Sequence, residues 1–172
     1  MFSTFQSAMG AGHNAGFQNG LYRRTYTGNF DGVTTWFATA TKTATNLIVG
    51  SIALPAPNGI PDNTSHQFLG WFKAPYTETF TFTLTSDDKS NFWIGDSAKA
   101  GNFGGAAPLI QANVTTVSNT IALTKGVFYA LRLQIGNDHG AGTIYLAVSS
   151  PSLVSTQDLT HLSYFNPNTQ GI

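Results

Sequence analysis

Two adjacent carboxylates stand out in a chain that carries few charges. Asp87 and Asp88 directly follow the segment from Glu78 to Ser86, whose strict alternation of apolar residues with threonine predicts a half-buried strand. Consecutive side chains of a regular strand point to opposite faces, so both carboxylates can face one point only if the backbone leaves strand geometry there. The pair is therefore either a solvated turn or one half of a cation site.

A second set of oxygen donors follows the strand predicted at residues 127–135. The loop from Gly136 to Thr143 offers the amide oxygen of Asn137 and the carboxylate of Asp138, and its three glycines leave backbone carbonyls approachable. If the two strands point the same way, their loops meet at one end of the domain. Two Asp, one Asn and two carbonyls give about five of the six to eight oxygens that calcium takes, which leaves positions open to a ligand. Asn-Asp-His-Gly is also an ordinary turn sequence, and spacing alone leaves both interpretations open.

The elements that would position these residues are β-strands, and no helical period of useful length is present. Alternation and turn residues predict a single antiparallel β-sandwich or barrel. The predicted strands are Leu21–Tyr26, Thr34–Ala38, Leu47–Ala53, His66–Lys73, Glu78–Ser86, Asn91–Ile94, Asn119–Leu123, Val127–Ile135 and Thr143–Ser149.

The composition narrows the classes of function. Of the 172 residues 41% are hydrophobic, 13% aromatic and only 9% charged, and the formal net charge is zero. Long-range attraction to nucleic acid is therefore not expected. The chain has no cysteine, no apolar run long enough for a membrane helix and no signal-peptide pattern near Met1. No zinc spacing among the histidines and no nucleophile or phosphate-loop motif is present, so we expect no catalysis.

The pattern predicts one domain with two extensions. We assign residues 1–18 to an N-terminal extension, residues 19–151 to the sandwich, and residues 152–172 to a C-terminal extension. Low charge and the missing leader favour a location on a virion surface or another extracellular surface that is reached without classical secretion. A homo-oligomer or contact with neighbouring virion proteins is expected there.

Three blocks of the chain carry a family resemblance. The block HQFLGWFKAPYTETFTFTLTSDDKSNFWIGDS, from His66 to Ser97, resembles the core of the protective-antigen-type lectin domain, including its GLEYA and flocculin-adhesin branches. The segment from Gly20 to Phe30 looks like the first strand of that family. The segment from Lys125 to Pro151 is similar to the last two strands and the loop between them, so the resemblance spans about residues 20–151.

The resemblance implies a function and a set of ligands. In calcium-dependent members, adjacent aspartates joined by a cis peptide hold the ion together with an Asn and two backbone carbonyls of the later loop. The matching positions are Asp87, Asp88 and Asn137, with the carbonyls of His139 and Ala141. The implied function is that of a non-catalytic, calcium-dependent module for adhesion to a glycan or a host surface polysaccharide. A phage virion could carry such a module on its surface. The alternative is a purely structural virion protein with the same fold, such as a decoration, neck or tail component.

Three further residues are candidates for direct contact with a ligand. Asp138 could hydrogen-bond a sugar hydroxyl or cap a turn, and Lys89 could reach the aspartate pair or stay solvated. Trp36 could stack on a sugar, whereas Trp71 and Trp93 lie within predicted strands and are expected in the core.

Overall fold

The computed structural model describes residues 16–55, 59–102 and 105–168, and the regular secondary structure of this part of the chain is nearly all β-strand. Its three 3₁₀ helices are Trp36–Ala38, Gly95–Ala98 and Ala100–Asn102. None of its helices is long and apolar enough to cross a membrane. The strands are β1 (Gln18–Asn19), β2 (Leu21–Thr27), β3 (Lys42–Ile48), β4 (Ala53–Leu54), β5 (Thr64–Lys73), β6 (Glu78–Ile94), β7 (Ile110–Leu123), β8 (Phe128–Asn137), β9 (Thr143–Ser150), β10 (Leu153–Thr156) and β11 (Ser163–Phe165).

All strand pairs are antiparallel, and the strands form one curled sheet whose two layers enclose the core. The first layer contains β3, β2, β5 and β8 with the second half of β6, while β11 extends the row beside β5. The second layer contains β9 with the first half of β6, and β4 and β10 pair with β9. This architecture confirms the predicted antiparallel sandwich.

Alternation in β6 places its apolar side chains between the layers. Phe80, Phe82 and Leu84 are fully buried, and the rings of Phe82 and Phe92, on the two halves of β6, lie 5.1 Å apart between centroids. The partner strands β8 and β9 supply Leu133, Ile144, Leu146 and Val148 to the same cluster. Each fully buried side chain of this size contributes roughly 1.5–3 kcal/mol to folding. The predicted core strands are therefore confirmed.

The curl is sharp at one corner, where β6 and β7 pass from one layer to the other. Ser90 Oγ donates to Ser86 Oγ at 2.6 Å, although four residues separate them on the strand. On β7, Asn119 Nδ2 donates to the carbonyl of Leu109 at 2.9 Å. Ten residues of straight strand would span about 33 Å, so the sheet folds back on itself between these two residues.

Two predicted strands are wrong. Residues 34–38 contain a 3₁₀ helix, because Trp36 and Phe37 pack into a small aromatic cluster with Tyr26 and Phe30 rather than into a strand ladder. Residues 47–53 do not form one strand: β3 ends at Ile48, and Gly50 at φ 98° lies between β3 and β4. A glycine in this left-handed region interrupts the extended backbone at low steric cost.

The ends of the described chain lie together at one end of β5. β1 pairs with β11, and β11 pairs with β5 at Phe72 and Trp71. At the other end of β5, Thr64 is paired with Asn137. The predicted N-terminal extension lies mostly outside the described residues, and the predicted C-terminal extension includes β10 and β11. The division into one domain and two extensions stays a prediction.

His66 is a buried titratable group in β5. Its side chain is only 5% exposed, and its Nδ1 lies 3.1 Å from Thr25 Oγ1. Burial, with a smaller contribution from the nearby Arg23 charge, lowers the pKa of His66 to about 4. Below an unfolded-state pKa of about 6.5, the unfolded chain therefore binds a proton that the folded protein does not bind until about pH 4.

We predict that the free energy of unfolding decreases as the pH is lowered from 7 to 5, with a slope of at most about 1.4 kcal/mol per pH unit from this group. The His66→Gln variant should lose much of that slope, because glutamine does not titrate. Urea denaturation at a series of pH values measures it. The exposed His161 provides a control for the replacement of histidine by glutamine as such, and the slope lost in His66→Gln should exceed any slope lost in His161→Gln. Equal slopes in all three proteins would contradict the assignment.

Candidate metal and ligand site

The adjacent aspartates lie at the corner of the sheet. In the ladder between β6 and β7 the register shifts between Ser86 and Lys89, so Asp87 and Asp88 have no partner on β7. The peptide bond between them is cis, as the family resemblance implies. Opposite them, Val114 of β7 has a φ of 50° and is 63% exposed. Asp87 and Asp88 thus leave regular strand geometry, which is the condition for both carboxylates to face one point.

The later loop arrives at the same corner. β6 pairs with β9 up to Asp87 and with β8 from Ser90 onward, so the connection from β8 to β9 runs alongside the aspartates. The backbone N–H of Asp138 donates to Asp88 Oδ2 at 2.9 Å. Two segments that are fifty residues apart in sequence are therefore in direct contact.

Asn137 contributes a buried acceptor to this corner. Its Nδ2 donates to the carbonyls of Ile60 and Gly140, at 2.8 and 3.0 Å, which fixes the orientation of the amide. Its Oδ1 is buried, and no residue in the described part of the chain donates a hydrogen bond to it. Gly142 packs so closely on the Asn137 side chain that a Cβ there would lie 2.6 Å from Cγ. A buried carbonyl oxygen without a donor is costly, roughly 1–3 kcal/mol, unless a cation or water satisfies it.

The loop after Asn137 is held by residues before β5. The N–H of Gly140 donates to Asp62 Oδ1 at 2.9 Å, and the N–H of Asn63 donates to the Asp138 carbonyl at 3.1 Å. Within the described residues, no hydrogen bond is donated to the carbonyls of His139 and Ala141. The exposed Asp138 side chain lies 2.6 Å from Nδ1 of His139. Asp62 thus supports the loop after Asn137. The sequence alone did not indicate this role, because Asp62 lies in an ordinary Pro-Asp-Asn turn.

Electrostatics at the corner disfavours a pair of ionised aspartates without a counter-ion. The pKa of Asp87 is raised, first by burial and then by the hydrogen bond and negative charge of Asp88. A cation beside the pair would remove this cost, because it favours the ionised form of both groups.

The donor atoms match a hard cation. Among the described residues no cluster of three or more His, Cys, Asp or Glu side chains could hold a metal, so a site here would use only two carboxylates. The other donors available at the corner are the buried Asn137 Oδ1 and free backbone carbonyls. Calcium prefers such a set of carboxylate, amide and carbonyl oxygens, and the residues present therefore fit this ion.

A shallow cavity of about 190 Å³ opens beside the aspartates. It is lined by Asn29, Phe30, Asp31, Asp88, Lys89, Asn113 and Asp138. Lys89 forms an ion pair with Asp31, 2.5 Å apart, and so turns toward the loop after β2. Of the residues predicted to contact a ligand, Asp138 and Lys89 line the same cavity as Asp88. Asn29, Asp31 and Asn113 were not predicted from the sequence, in which each lies in an ordinary turn or strand context.

Trp36 is not among the residues that line this cavity. Its ring is partly buried and lies 4.9 Å from the ring of Phe37, edge to face, in the aromatic cluster beside the loop. Trp93 is fully buried, as expected, and stacks against the guanidinium of Arg132 at 3.9 Å. Trp71 is only partly buried.

The fold corresponds to proteins of known type. The family model for the GLEYA domain matches residues 64–150, just over half of the chain. No curated protein matches the sequence.

Solved structures share the fold at low sequence identity. The Epithelial Adhesin 9 A domain from Candida glabrata, in complex with Galβ1-3GlcNAc, has a TM-score of 0.76 and 17% identity over 92% of this chain and 94% of that chain. The Epithelial Adhesin 6 A domain from the same organism, with the same disaccharide, has a TM-score of 0.71 and 17% identity over 90% of each chain. A PA14 sugar-binding domain from an RTX adhesin has a TM-score of 0.61 and 11% identity over 86% of this chain and 99% of that chain.

The loop after β2, which lines the cavity, packs directly against Gly136 of β8. A Cβ at Gly136 would lie 2.5 Å from the backbone N and O of Phe30 and from Asn29 Oδ1. We predict that Gly136→Ala lowers the free energy of unfolding by about 1–3 kcal/mol, the usual cost of overpacking. Urea denaturation measures this change. Gly101→Ala is the matched control, because a Cβ at Gly101 meets no atom of the described residues within 4 Å. If both variants are equally stable, the loop does not rest on β8 in this way.

Proposed function

Because the chain belongs to the GLEYA domain family, we propose that it binds carbohydrate without catalysis at the corner formed by Asp87, Asp88 and Asn137. We further propose that binding requires a calcium ion, held by these three side chains together with the carbonyls of His139 and Ala141. The observation that carries the proposal is the buried Asn137 Oδ1, which no donor among the described residues satisfies. Asn137 ends β8 directly before Asp138, whose N–H contacts Asp88.

The residues at the corner are suited to holding the ion in place. Asp87 and Asp88 supply two negative charges that balance a divalent cation. Burial, followed by the hydrogen bond and charge of Asp88, raises the pKa of Asp87, and a bound cation would offset both effects. Asn137 is fixed by its two Nδ2 hydrogen bonds, so its Oδ1 needs no reorientation on binding. Such preorganisation reduces the entropy lost when a ligand is bound.

When bound, calcium would supply open coordination positions for neighbouring hydroxyl groups of a sugar. The residues around the cavity would then set orientation and selectivity. Asp138 and Asp31 offer carboxylate acceptors for hydroxyl groups, and Asn29 and Asn113 offer amide donors and acceptors. Several acids and one lysine at the rim favour a neutral sugar over an anionic one.

Structures of the same fold support the choice of ligand class. The two adhesin domains are in complex with a galactose-containing disaccharide, and the third similar structure is a sugar-binding domain. We therefore propose a glycan of a host surface as the partner. Display on a virion or another extracellular surface stays a prediction from composition. The alternative of a purely structural virion protein makes the opposite prediction in the glycan-binding experiment below.

Calcium should stabilise the protein through Asp87. At a free concentration one hundred times its dissociation constant, the ion should raise the free energy of unfolding by about 2.7 kcal/mol. Asp87→Asn should abolish this gain, yet without calcium the variant should be no less stable than the unmodified protein, because a desolvated charge is removed. Thermal unfolding with calcium or EDTA measures both effects.

Asp96 provides the control for the calcium experiment. It lies in the 3₁₀ helix after β6 and pairs with Lys99, so Asp96→Asn should leave the calcium response unchanged. The calcium part of the proposal fails if Asp87→Asn and Asp96→Asn respond to the ion alike.

Glycan binding should depend on the same ion. On an array of neutral, sialylated and uronate-containing glycans, we expect binding to neutral glycans that is at least tenfold weaker in EDTA and is restored by calcium. Asp88→Asn should lose binding to the same degree, while Asp96→Asn should retain it. Binding that is indifferent to EDTA and to Asp88→Asn would refute the site, and no binding to any glycan would favour the structural alternative.

A further inference from the structure

The outer edge of β7 is unprotected along most of its length. Within the described residues β7 pairs only with β6, so the backbone N–H and C=O groups on its other side have no strand partner. The nine residues from Thr115 to Leu123 contain no charge, no proline and no glycine. Most of their side chains are exposed on both faces of the strand.

Such an edge is unusual in a protein that stays monomeric. Natural sheets usually protect an edge with lysine, proline, a bulge or a very short strand. The irregularity of β7 lies at Val114, before this segment begins. The segment from Thr115 to Leu123 itself contains no lysine, no proline and no bulge. Within this segment the N–H of Thr120 donates to Asn119 Oδ1 at 2.8 Å. The other backbone groups on this side can be satisfied in a regular way only by another extended strand.

We propose that residues 115–123 pair with the same residues of a second copy of this chain, as antiparallel strands related by a two-fold axis at Asn119. The second layer of the sandwich then continues through β6 and β7 of one copy into β7 and β6 of the other. The proposal does not depend on the carbohydrate site.

The side chains of the segment are complementary to themselves in this register. With Asn119 opposite Asn119 of the second copy, Val117 lies opposite Ile121 and Ser118 lies opposite Thr120. Val117 and Ile121 both face the core side of β7, where they are half-buried and pack against the main cluster. Each would therefore gain an apolar neighbour across the two-fold axis, which is a favourable cross-strand pair.

The polar face of β7 is equally compatible with a second copy. Ser118 and Thr116 bond through their hydroxyls to Thr83 and Thr85 of β6, both at 2.8 Å. These hydroxyl rows carry no charge, so two copies meet without repulsion between like charges. Isologous contacts of this kind close after two copies, and a dimer rather than a filament is the result.

A cysteine placed on the axis tests the register. The chain has no cysteine of its own, so Asn119→Cys provides a single thiol. In the proposed dimer the two introduced thiols lie on residues directly opposite each other, at about 4.5–5.5 Å between Cα atoms, within the range for a disulfide. Ala122→Cys is the matched control on the same strand, because its two copies are offset by six residues, about 20 Å apart.

Under mild oxidation at equal protein concentrations, we expect Asn119→Cys to form disulfide-linked dimer at least tenfold faster than Ala122→Cys. Non-reducing electrophoresis measures the rates. Equal rates, or faster linkage through position 122, would overturn the proposal.

A second variant tests the interface without a cross-link. Thr120 is exposed, and in Thr120→Lys the two lysines of a dimer would lie about 7–8 Å apart on the diagonal, so they repel each other. We expect sedimentation equilibrium to show a dimer for the unmodified protein and a dissociation constant at least tenfold higher for Thr120→Lys. Val154→Lys, an equal change of charge on the exposed β10, should dimerise normally. A monomer throughout, or a dimer that Thr120→Lys leaves intact, would overturn the proposal.

Discussion

The change of partner of β6 at Asp87 is the constraint on which the rest of the structure depends. Along the edge of β6 that faces away from β7, the neighbouring strand is β9 up to Asp87 and β8 from Ser90 onward. The connection between β8 and β9 must therefore pass next to the corner, whatever its sequence. Because the aspartates leave the ladder with β7 at that point, the Asp88 carboxylate is free to accept a hydrogen bond from the N–H of Asp138 in that connection. Fold and candidate site are thus consequences of the same bend.

Much of the architecture follows from local sequence. Threonine and aromatic residues alternate strictly in the first half of β6, apolar residues alternate in β8 and in β9, and these strands were predicted almost to the residue. Only a core between two layers could bury all three apolar rows, so the alternation of apolar residues was enough to predict these strands. Asp87, Asp88 and Asn137 were also singled out from their residue types and from the resemblance, since adjacent aspartates after a strand are conspicuous in a chain with little charge. Their role as ligands stays a prediction.

The parts that sequence did not predict depend on contacts between distant segments. Trp36 and Phe37 look like strand residues, but an aromatic cluster with Tyr26 decides their conformation. Asp31 and Asp62 are ordinary turn residues until the fold places them beside Lys89 and Gly140. The long β7 was predicted only at Asn119–Leu123, because its first residues alternate weakly and gain their strand conformation from pairing with the second half of β6.

The position of β1 and β11 has a practical consequence. Both strands lie beside Trp71 and Phe72, whereas the corner adjoins Thr64 at the opposite end of β5, seven residues or about 23 Å away. A bead, sensor chip or carrier coupled next to either strand would therefore sit on the far pole of the domain. Immobilised molecules would all turn the same face outward, and the choice of coupling end would not alter access to it.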